Sequence, residues 1–200
     1  MPHGQAEALL PMVDRAMREA SLTPSALDLI AVTTGPGSFT GIRVGLAAAR
    51  GMALGLGVPL FGVTSFEACA TSCEDCPEER LLLVALDSRR ADLYIQLFDS
   101  ARRSLGAPAA VLPETLAETV VAATAARLLA VTGDAAARAA AALDWGECAS
   151  VIEDGELPVV GALRTALRRW RRGEESGSAR PLYLRPPDVT LASARRPGGS

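Results

Sequence analysis

The stretch of sequence that constrains the fold most strongly is Thr33-Thr34-Gly35-Pro36-Gly37-Ser38-Phe39-Thr40-Gly41-Ile42-Arg43. A short apolar strand is predicted before it, over Leu27–Thr33, and a helix is predicted after it, from Phe39 or Thr40 to Gly57. Ser38 or Thr40 would be the N-cap of that helix. The stretch is therefore a glycine-rich turn from a strand into a helix.

Such a turn has two interpretations. Backbone N–H groups at the start of a helix favour an anion, so the turn could hold a phosphate group. Alternatively, the glycines serve only the geometry of a tight turn. A Walker A loop is excluded because it needs a lysine, and the chain contains no Lys. The G-x-G-x-x-G pattern also fails, since Thr40 stands where its last glycine would be.

The helix after the turn is rich in small residues: Gly41, Gly45, Ala48, Ala49, Gly51, Ala53 and Gly55. Each glycine inside a helix costs about 1 kcal/mol relative to alanine, so a helix with several is expected to pack closely against a neighbour. The neighbour could be the sheet, the preceding helix or a partner protein. A helix buried wholly within its own domain is the alternative.

The rest of the chain predicts an α/β protein in two parts. An amphipathic helix over Gly4–Ala20 carries Leu9, Leu10, Val13 and Met17 on its apolar side. The other predicted strands are Pro59–Val63, Arg80–Leu86, Asp92–Phe98 and Leu128–Thr132, the second and third of which form a hairpin. The other predicted helices are a short one after Thr64-Ser65, Thr115–Ala126, Ala135–Leu143 and Val159–Trp170. The junction is expected near Glu74–Glu79.

Composition narrows the class of protein. The chain is 49% hydrophobic and 22% charged, with a net charge of −3, which argues against a free-standing nucleic-acid binder. The most apolar stretch, Gly41–Val58, contains Arg43 and Arg50 and is short for a bilayer span. No segment reads as a signal peptide. A cytoplasmic location without membrane contact is therefore expected.

The sequence offers few residues for a metal site or a catalytic site. His3 is the only histidine, so neither a histidine pair for zinc nor a central catalytic histidine is available. Asp87, Asp92 and Asp134 could form a carboxylate cluster, but turn and helix-cap roles are the expected ones. Cys69, Cys73 and Cys76 have the spacing C-x3-C-x2-C, for which an iron–sulfur cluster, zinc with Cys148, and ordinary thiols are the alternatives.

An arginine run closes the last predicted helix: Arg164, Arg168, Arg169, Arg171 and Arg172. Cations at a helix C-terminus suit the helix dipole, so a solvated helix end is one interpretation. A contact with RNA phosphate or with an acidic partner is the other.

Four segments together resemble one known family. They are L-L-P-M at residues 9–12, G-P-G-S-F-T-G-I-R-V-G at 35–45 with G-V-P-L-F-G-V-T-S at 57–65, V-A-L-D-S-R-R-A-D-L-Y at 84–94, and P-L-Y-L-R-P-P-D-V-T at 181–190. This combination is similar to the TsaB family of tRNA threonylcarbamoyladenosine biosynthesis proteins, which is glycoprotease-like and belongs to the actin-like ATPase superfamily. The resemblance covers most of the chain.

The resemblance implies a two-lobed actin-like (RNase-H-like) α/β fold. It implies a first lobe over residues 1–76, a second over 77–190, and a disordered tail over 191–200. Family members begin with an A-I-D-T-S-like strand and two further strands that are missing here, so the first lobe is expected to be N-terminally truncated. A mis-assigned start, a truncated piece and a genuine short form are the alternatives, and the first is favoured.

The resemblance also implies a function without catalysis of its own. The chain is expected to support the catalytic threonylcarbamoyltransferase paralogue in modifying the adenosine next to the tRNA anticodon. Partners would be that paralogue in a heterodimer, an ATPase helper subunit, a second copy of the chain, and tRNA only indirectly. Cofactors and metals are not expected, except for ATP or ADP at an interface shared with the partner.

The implied sites are the signature turn and two interface helices. The turn comprises Gly35, Pro36, Gly37, Ser38, Phe39, Thr40, Gly41 and Arg43. The interface comprises Leu9, Leu10, Val13, Met17, Gly41, Gly45, Ala48, Ala49 and Met52. Two competing functions are an actin-like ATPase or phosphotransferase that uses the turn for phosphate, and an RNA-binding module that uses Arg164–Arg172.

Overall fold

The computed structural model describes residues 5–73, 76–124, 128–152, 158–176 and 179–185. Its helices are α1 (Gln5–Glu19), α2 (Phe39–Leu56), α3 (Ser65–Ser72), α4 (Pro113–Thr124), α5 (Ala136–Leu143) and α6 (Pro158–Arg171). Its strands are β1 (Ile30–Thr33), β2 (Leu60–Val63), β3 (Leu81–Asp87), β4 (Leu93–Phe98), β5 (Ala109–Val111), β6 (Leu129–Thr132) and β7 (Ala149–Val151). The predicted α/β class is confirmed. The short strands β5 and β7 were not predicted.

The first sheet joins β1 and β2 in parallel, with Ile30 opposite Leu60 and Thr33 opposite Val63. One face packs against α2 through an apolar cluster that includes Val32 and Leu46. The other face packs against α3 and α6 through a second cluster: Phe61, Val63, Ala68, Ala162 and Ala166. The predicted parallel strand-helix-strand unit is therefore confirmed.

The second sheet has the described strand order β5-β4-β3-β6-β7. Strands β3 and β4 form the predicted antiparallel hairpin, while β6 runs parallel to β3 and β7 runs parallel to β6. One face packs on α4 and α5 around Leu83, Leu116 and Leu129. The opposite face packs on α3 through Phe66. Apolar layers on both faces explain why almost every side chain of β3 is buried.

Helix α6 returns the chain to the first sheet, where it packs against α3, β1 and β2. A Cβ atom at Gly161 would lie 2.9 Å from the backbone nitrogen of Ser72 and would also clash with the carbonyl oxygen of Ala68, so only glycine permits this approach. Arg169 fixes the contact, because it donates to the Gly62 carbonyl at 2.8 Å and pairs with Glu67.

The division of the chain at residue 76 stays a prediction, since residues beyond it also contact the first sheet. The backbone N–H of Leu182 donates to the carbonyl oxygen of Thr34 at 2.8 Å. The predicted junction lies partly outside the described residues, and the predicted tail, 191–200, lies wholly outside them. Among the described helices, none is both long and apolar enough to span a bilayer.

Candidate functional site: the signature turn and its cleft

The signature turn is held firmly between the ends of β1 and β2. The N–H of Thr34 donates to the carbonyl of Val63, and the N–H of Ser65 donates to the carbonyl of Gly35, both at 2.8 Å. The Ser65 hydroxyl donates to the carbonyl of Pro36 at 2.8 Å. These three bonds tie the turn to the end of β2 and the start of α3.

Gly35 is required by the geometry of the turn. Its φ angle is +103°, in a region that L side chains rarely adopt. A Cβ atom there would also lie 2.8 Å from Ile42 Cδ1 and 3.2 Å from the carbonyl oxygen of Leu182. The interpretation that the turn needs its glycines for geometry therefore holds at this position.

Ser38 is the N-cap of α2, one of the two residues predicted for that role. Its hydroxyl accepts the N–H of Gly41 at 3.3 Å, and its carbonyl accepts the N–H of Ile42. Residues 37–40 are exposed, so the start of α2 is accessible from solvent.

Phe39 and Arg43 form a cluster with Tyr183. The guanidinium carbon of Arg43 lies 3.8 Å from the centre of the Phe39 ring, and Nε of Arg43 donates to the Tyr183 hydroxyl at 3.1 Å. The Phe39 and Tyr183 rings are 5.7 Å apart. A guanidinium over an aromatic ring is attracted by the ring quadrupole. The cluster therefore joins the signature turn to a segment about 140 residues later in the chain.

The segment 179–185 crosses the molecule beside the turn. Arg50 donates to the carbonyl of Ala179 at 2.6 Å, and at the other end Arg185 pairs with Asp92 at 2.9 Å. The Asp92 side chain is only 2% exposed, so its charge needs this partner. Sequence reasoning missed the pair, although both residues lie in segments that carried the family resemblance.

A cleft of about 620 Å³ separates the turn from the end of the second sheet. Pro36, Gly37 and Ser38 line one side. The opposite side carries Asp87, Ser88, Arg89 and Asp134. An adjoining depression of about 380 Å³ is lined by Phe39, Tyr183 and Arg185, among others. The turn therefore faces a concave space that has room for a small molecule and carries a few polar side chains.

The carboxylates of the cleft serve the local backbone. Asp134 accepts the N–H of Asp87 at 2.8 Å, and Asp87 accepts the N–H of Arg89 at 2.9 Å. Asp92 also accepts the hydroxyl of Ser88 at 3.1 Å. The expected turn role is therefore observed at Asp87, whereas Asp134 does not cap α5, whose N-cap is Ala135 without a side-chain hydrogen bond. Within the described residues, no three His, Cys, Asp or Glu side chains are grouped so that they could hold a metal ion.

The four cysteines lie in different surroundings. Cys69 and Cys73 are buried in the cluster between α3 and the second sheet, Cys76 is half-buried, and Cys148 is exposed. Ordinary thiols are the alternative that agrees with these positions.

The predicted interface residues lie on α1 and α2, which contact each other. Leu10 is 55% exposed. Seven other residues of the set are half-buried: Leu9, Val13, Met17, Gly41, Gly45, Ala48 and Met52. The exception is Ala49, which is buried against the first sheet. A Cβ atom at Gly45, Gly51 or Gly55 would meet nothing within 4 Å. Within the described residues, the close packing expected at these glycines is therefore absent.

The comparisons with known proteins place the chain in a family. The family model described as TsaD, tRNA N6-adenosine threonylcarbamoyltransferase, matches residues 3–123. That range is more than half of the 200 residues, and the chain belongs to this family. Its relatives and structural neighbours identify it further as a TsaB-type protein, which confirms the resemblance found in the sequence.

The relatives match over part of their length. The tRNA threonylcarbamoyladenosine biosynthesis protein TsaB of Haemophilus influenzae is 33% identical over 86 residues, 43% of this chain and 36% of that protein. TsaB of Escherichia coli is 31% identical over 93 residues, 46% of this chain and 40% of that protein. An uncharacterized protein of Mycobacterium tuberculosis is 37% identical over 101 residues, 50% of this chain and 46% of that protein. The match thus spans less than half of these curated relatives.

Two solved structures match this chain over a longer range than the sequence relatives do. YeaZ from Pseudomonas aeruginosa superposes with a TM-score of 0.72 and 28% identity, covering 90% of this chain and 84% of that one. A crystal structure described as an uncharacterized protein with similarity to peptidase YEAZ, from the same organism, gives a TM-score of 0.70. The expected actin-like fold is thereby confirmed.

Proposed function

We propose that this chain is a non-catalytic dimerisation and activating subunit in bacterial tRNA N6-threonylcarbamoyladenosine modification. It supports the catalytic threonylcarbamoyltransferase paralogue and works in the cytoplasm. The names of its relatives support the pathway, because two of them are tRNA threonylcarbamoyladenosine biosynthesis proteins. The observation that carries the role itself is the half-exposed apolar surface of α1 and α2.

This surface, the α1–α2 face, comprises Leu9, Leu10, Val13, Met17, Gly41, Gly45, Ala48 and Met52. Apolar atoms gain about 25 cal/mol per Å² when they leave water, so a face of this composition favours a partner. The open space above Gly45 lets a second helix come close to the α2 backbone. Glycines that would destabilise an isolated helix then have a purpose in the complex.

The cleft supports a role without catalysis. Its carboxylates, Asp87 and Asp134, accept hydrogen bonds from the hairpin backbone, and the nearby Asp92 accepts the hydroxyl of Ser88 and forms an ion pair with Arg185. Carboxylates held this way stabilise the hairpin and are poorly placed for proton transfer. The partner therefore supplies the reacting groups. The chain also pairs with a second copy through the α1–α2 face, an ATPase helper joins the complex, and tRNA is reached through the partner.

Reconstitution tests the proposal. The catalytic paralogue, the ATPase helper, threonylcarbamoyl-adenylate and unmodified tRNA are combined with and without this chain, and modified adenosine is measured by mass spectrometry. We expect strong stimulation by the chain and no product when the chain replaces the paralogue. Equal product without the chain would contradict the activating role, and product from the chain alone would contradict the non-catalytic one.

A second candidate function is nucleotide binding in the cleft. It is favoured by one arrangement: the exposed start of α2 lies on one side of the cleft and Arg89 on the other. A helix N-terminus and a guanidinium both attract phosphate. ATP at one hundred times its Kd should stabilise the isolated chain by about 2.7 kcal/mol. A thermal shift seen only in the presence of the partner would instead indicate a shared nucleotide site.

A further inference from the structure

A polar groove of about 300 Å³ lies between the end of α6 and the turn that follows β4. Arg102 and Arg103 line it from the turn, and Arg168 and Arg172 line it from α6. Its α3 residues are Glu67 and Thr71, whereas the cleft at the signature turn uses Ser65, Ala68 and Cys69. The two sites therefore lie on different sides of α3 and share no lining residue.

Some arginines of this groove have acidic partners. Arg103 pairs with Asp99 at 2.8 Å. Arg169 pairs with Glu67 and, at 3.9 Å, with Glu174. Glu67 and Glu174 are thus paired with Arg169, and arginines outnumber carboxylates along the groove.

Arg102, Arg168 and Arg172 have no such partner in the part of the chain that the structure describes. Arg102 donates to the carbonyl oxygens of Cys73 at 2.6 Å and Ser100 at 3.3 Å. Arg168 donates to the hydroxyl of Thr71 at 2.8 Å. Neutral acceptors therefore hold the guanidinium groups of Arg102 and Arg168, and none of the carboxylates that the structure describes pairs directly with them.

The electrostatic effect of this arrangement appears at Arg168. Burial lowers the pKa of Arg168, and the neighbouring charges of Arg172, Arg102 and Arg169 lower it further, while the charge of Glu67 acts in the opposite direction without reversing the shift. Guanidinium groups gathered this closely repel one another, and an anion among them would relieve the repulsion.

The positive surface continues along α6. A second depression, of about 250 Å³, is lined by Thr71, Arg164, Leu167, Arg168 and Arg171. Arg168 and Thr71 line both depressions, so the two form one track, which we call the arginine groove. Positions 164, 168, 171 and 172 share one side of the helix because they are spaced by one or two helical turns.

We propose that the arginine groove binds the phosphodiester backbone of RNA. Guanidinium groups match phosphate oxygens with paired hydrogen bonds, and a row of them suits successive phosphates of a strand. The track is open and elongated, whereas a site for a single small phosphate is usually enclosed. An acidic protein partner is less well matched, because protein interfaces rely on buried apolar anchors and the groove offers little beyond Phe98 and Leu167.

Contacts to phosphate do not read the base sequence, so this binding should be largely independent of sequence. It adds a direct RNA contact to the indirect one expected from the family resemblance. The proposal does not depend on the α1–α2 face, because the two surfaces have no residue in common.

The test measures binding of the full chain to a fluorescent tRNA transcript and to an unrelated RNA hairpin, by anisotropy over a range of salt concentrations. We expect similar binding of both RNAs, weakening steeply as salt rises. The double variant Arg168→Gln/Arg172→Gln should bind about tenfold or more weakly at low salt. Its log–log salt slope should fall by about 2, because each phosphate contact contributes about 1.

The matched control is Arg15→Gln/Arg18→Gln, which removes the same charge from exposed pairs on α1. It should bind RNA like the unaltered chain. Equal losses in both double variants, salt-independent binding, or no binding at low salt would each overturn the proposal. Two further arms use inorganic pyrophosphate and a polyglutamate peptide. If either binds through Arg168 and Arg172 while RNA does not, the groove serves a small phosphate or an acidic protein instead.

Discussion

The two sheets differ in how completely they are covered. In the second sheet every residue of β6 and all but the last of β3 are buried, with helices on both faces. In the first sheet the burial of β1 is partial, and the helices outside it leave Leu10, Met12 and Leu54 more than half exposed. The second sheet therefore has a closed apolar core, while the helices on the first sheet leave large apolar side chains exposed.

The largest expected loss of stability comes from a core leucine of the second sheet, which we compare with a leucine of the first sheet. Leu83→Ala removes a side chain that is 0% exposed in the second sheet and should cost about 3–5 kcal/mol of unfolding free energy. Leu60→Ala, from the half-buried β2 position, should cost about 1–2 kcal/mol because less apolar area is lost. Urea denaturation of both variants measures the difference. Equal losses would contradict the contrast between the sheets.

Gly161→Ala tests the contact by which α6 covers the first sheet. The new methyl group would collide with the backbone of α3, and overpacking of this kind costs about 1–3 kcal/mol. Chemical denaturation of the variant measures the loss. An unchanged midpoint would mean that α3 and α6 do not approach as closely as described.

Gly51→Ala, unlike Gly161→Ala, should increase the stability of the chain. Gly51 lies inside α2, and a Cβ atom there meets nothing within 4 Å. Alanine should therefore stabilise the chain by about 0.5–1 kcal/mol through its better helix propensity. A rise in the thermal midpoint is the expected measurement. A fall would show that this part of α2 is covered by something in the isolated chain.

Substitution of Asp99, the residue that follows β4, should change the stability least. Burial acts to raise the pKa of Asp99, but hydrogen bonds from the Arg103 backbone and side chain, the charge of Arg103 and the Ala101 backbone lower it below 3.8. A lowered folded-state pKa stabilises the fold above pH 3.8, and this stabilisation is lost as the pH falls through the folded-state value.

Asp99→Asn should therefore cost about 0.5 kcal/mol at neutral pH, the size of a solvent-screened pair, and nothing in strong acid. Denaturation of both proteins as a function of pH measures the difference. A cost that grows as the pH falls would contradict the assigned cause.

Much of the fold could be predicted from local patterns. The hairpin β3–β4 follows from alternating apolar residues around a polar turn, and α2 follows from its cap and composition. Strands β5 and β7 are only three residues each, too short for a periodic signal, and they form because neighbours in the sheet offer free backbone groups.

The site was predictable only where one segment determined it. The signature turn and its Ser38 cap follow from the glycines and hydroxyls of residues 35–41. The Phe39–Arg43–Tyr183 cluster and the Asp92–Arg185 pair join distant segments, and no local pattern encodes which arginine meets which partner. The inward position of Ala49 was also missed, because a helix apolar on several sides does not indicate which side meets the sheet.

The measurement that tests the central claim most directly is binding of the catalytic paralogue to three forms of the chain by calorimetry. Gly45→Leu places a branched side chain on the α1–α2 face, at a position where a Cβ atom meets nothing within 4 Å. Gly51→Leu places the same side chain on another, exposed side of α2. We predict that Gly45→Leu weakens binding at least about a hundredfold, while Gly51→Leu and the unaltered chain bind alike. Normal binding by a folded Gly45→Leu variant would contradict the assignment of this face to the partner.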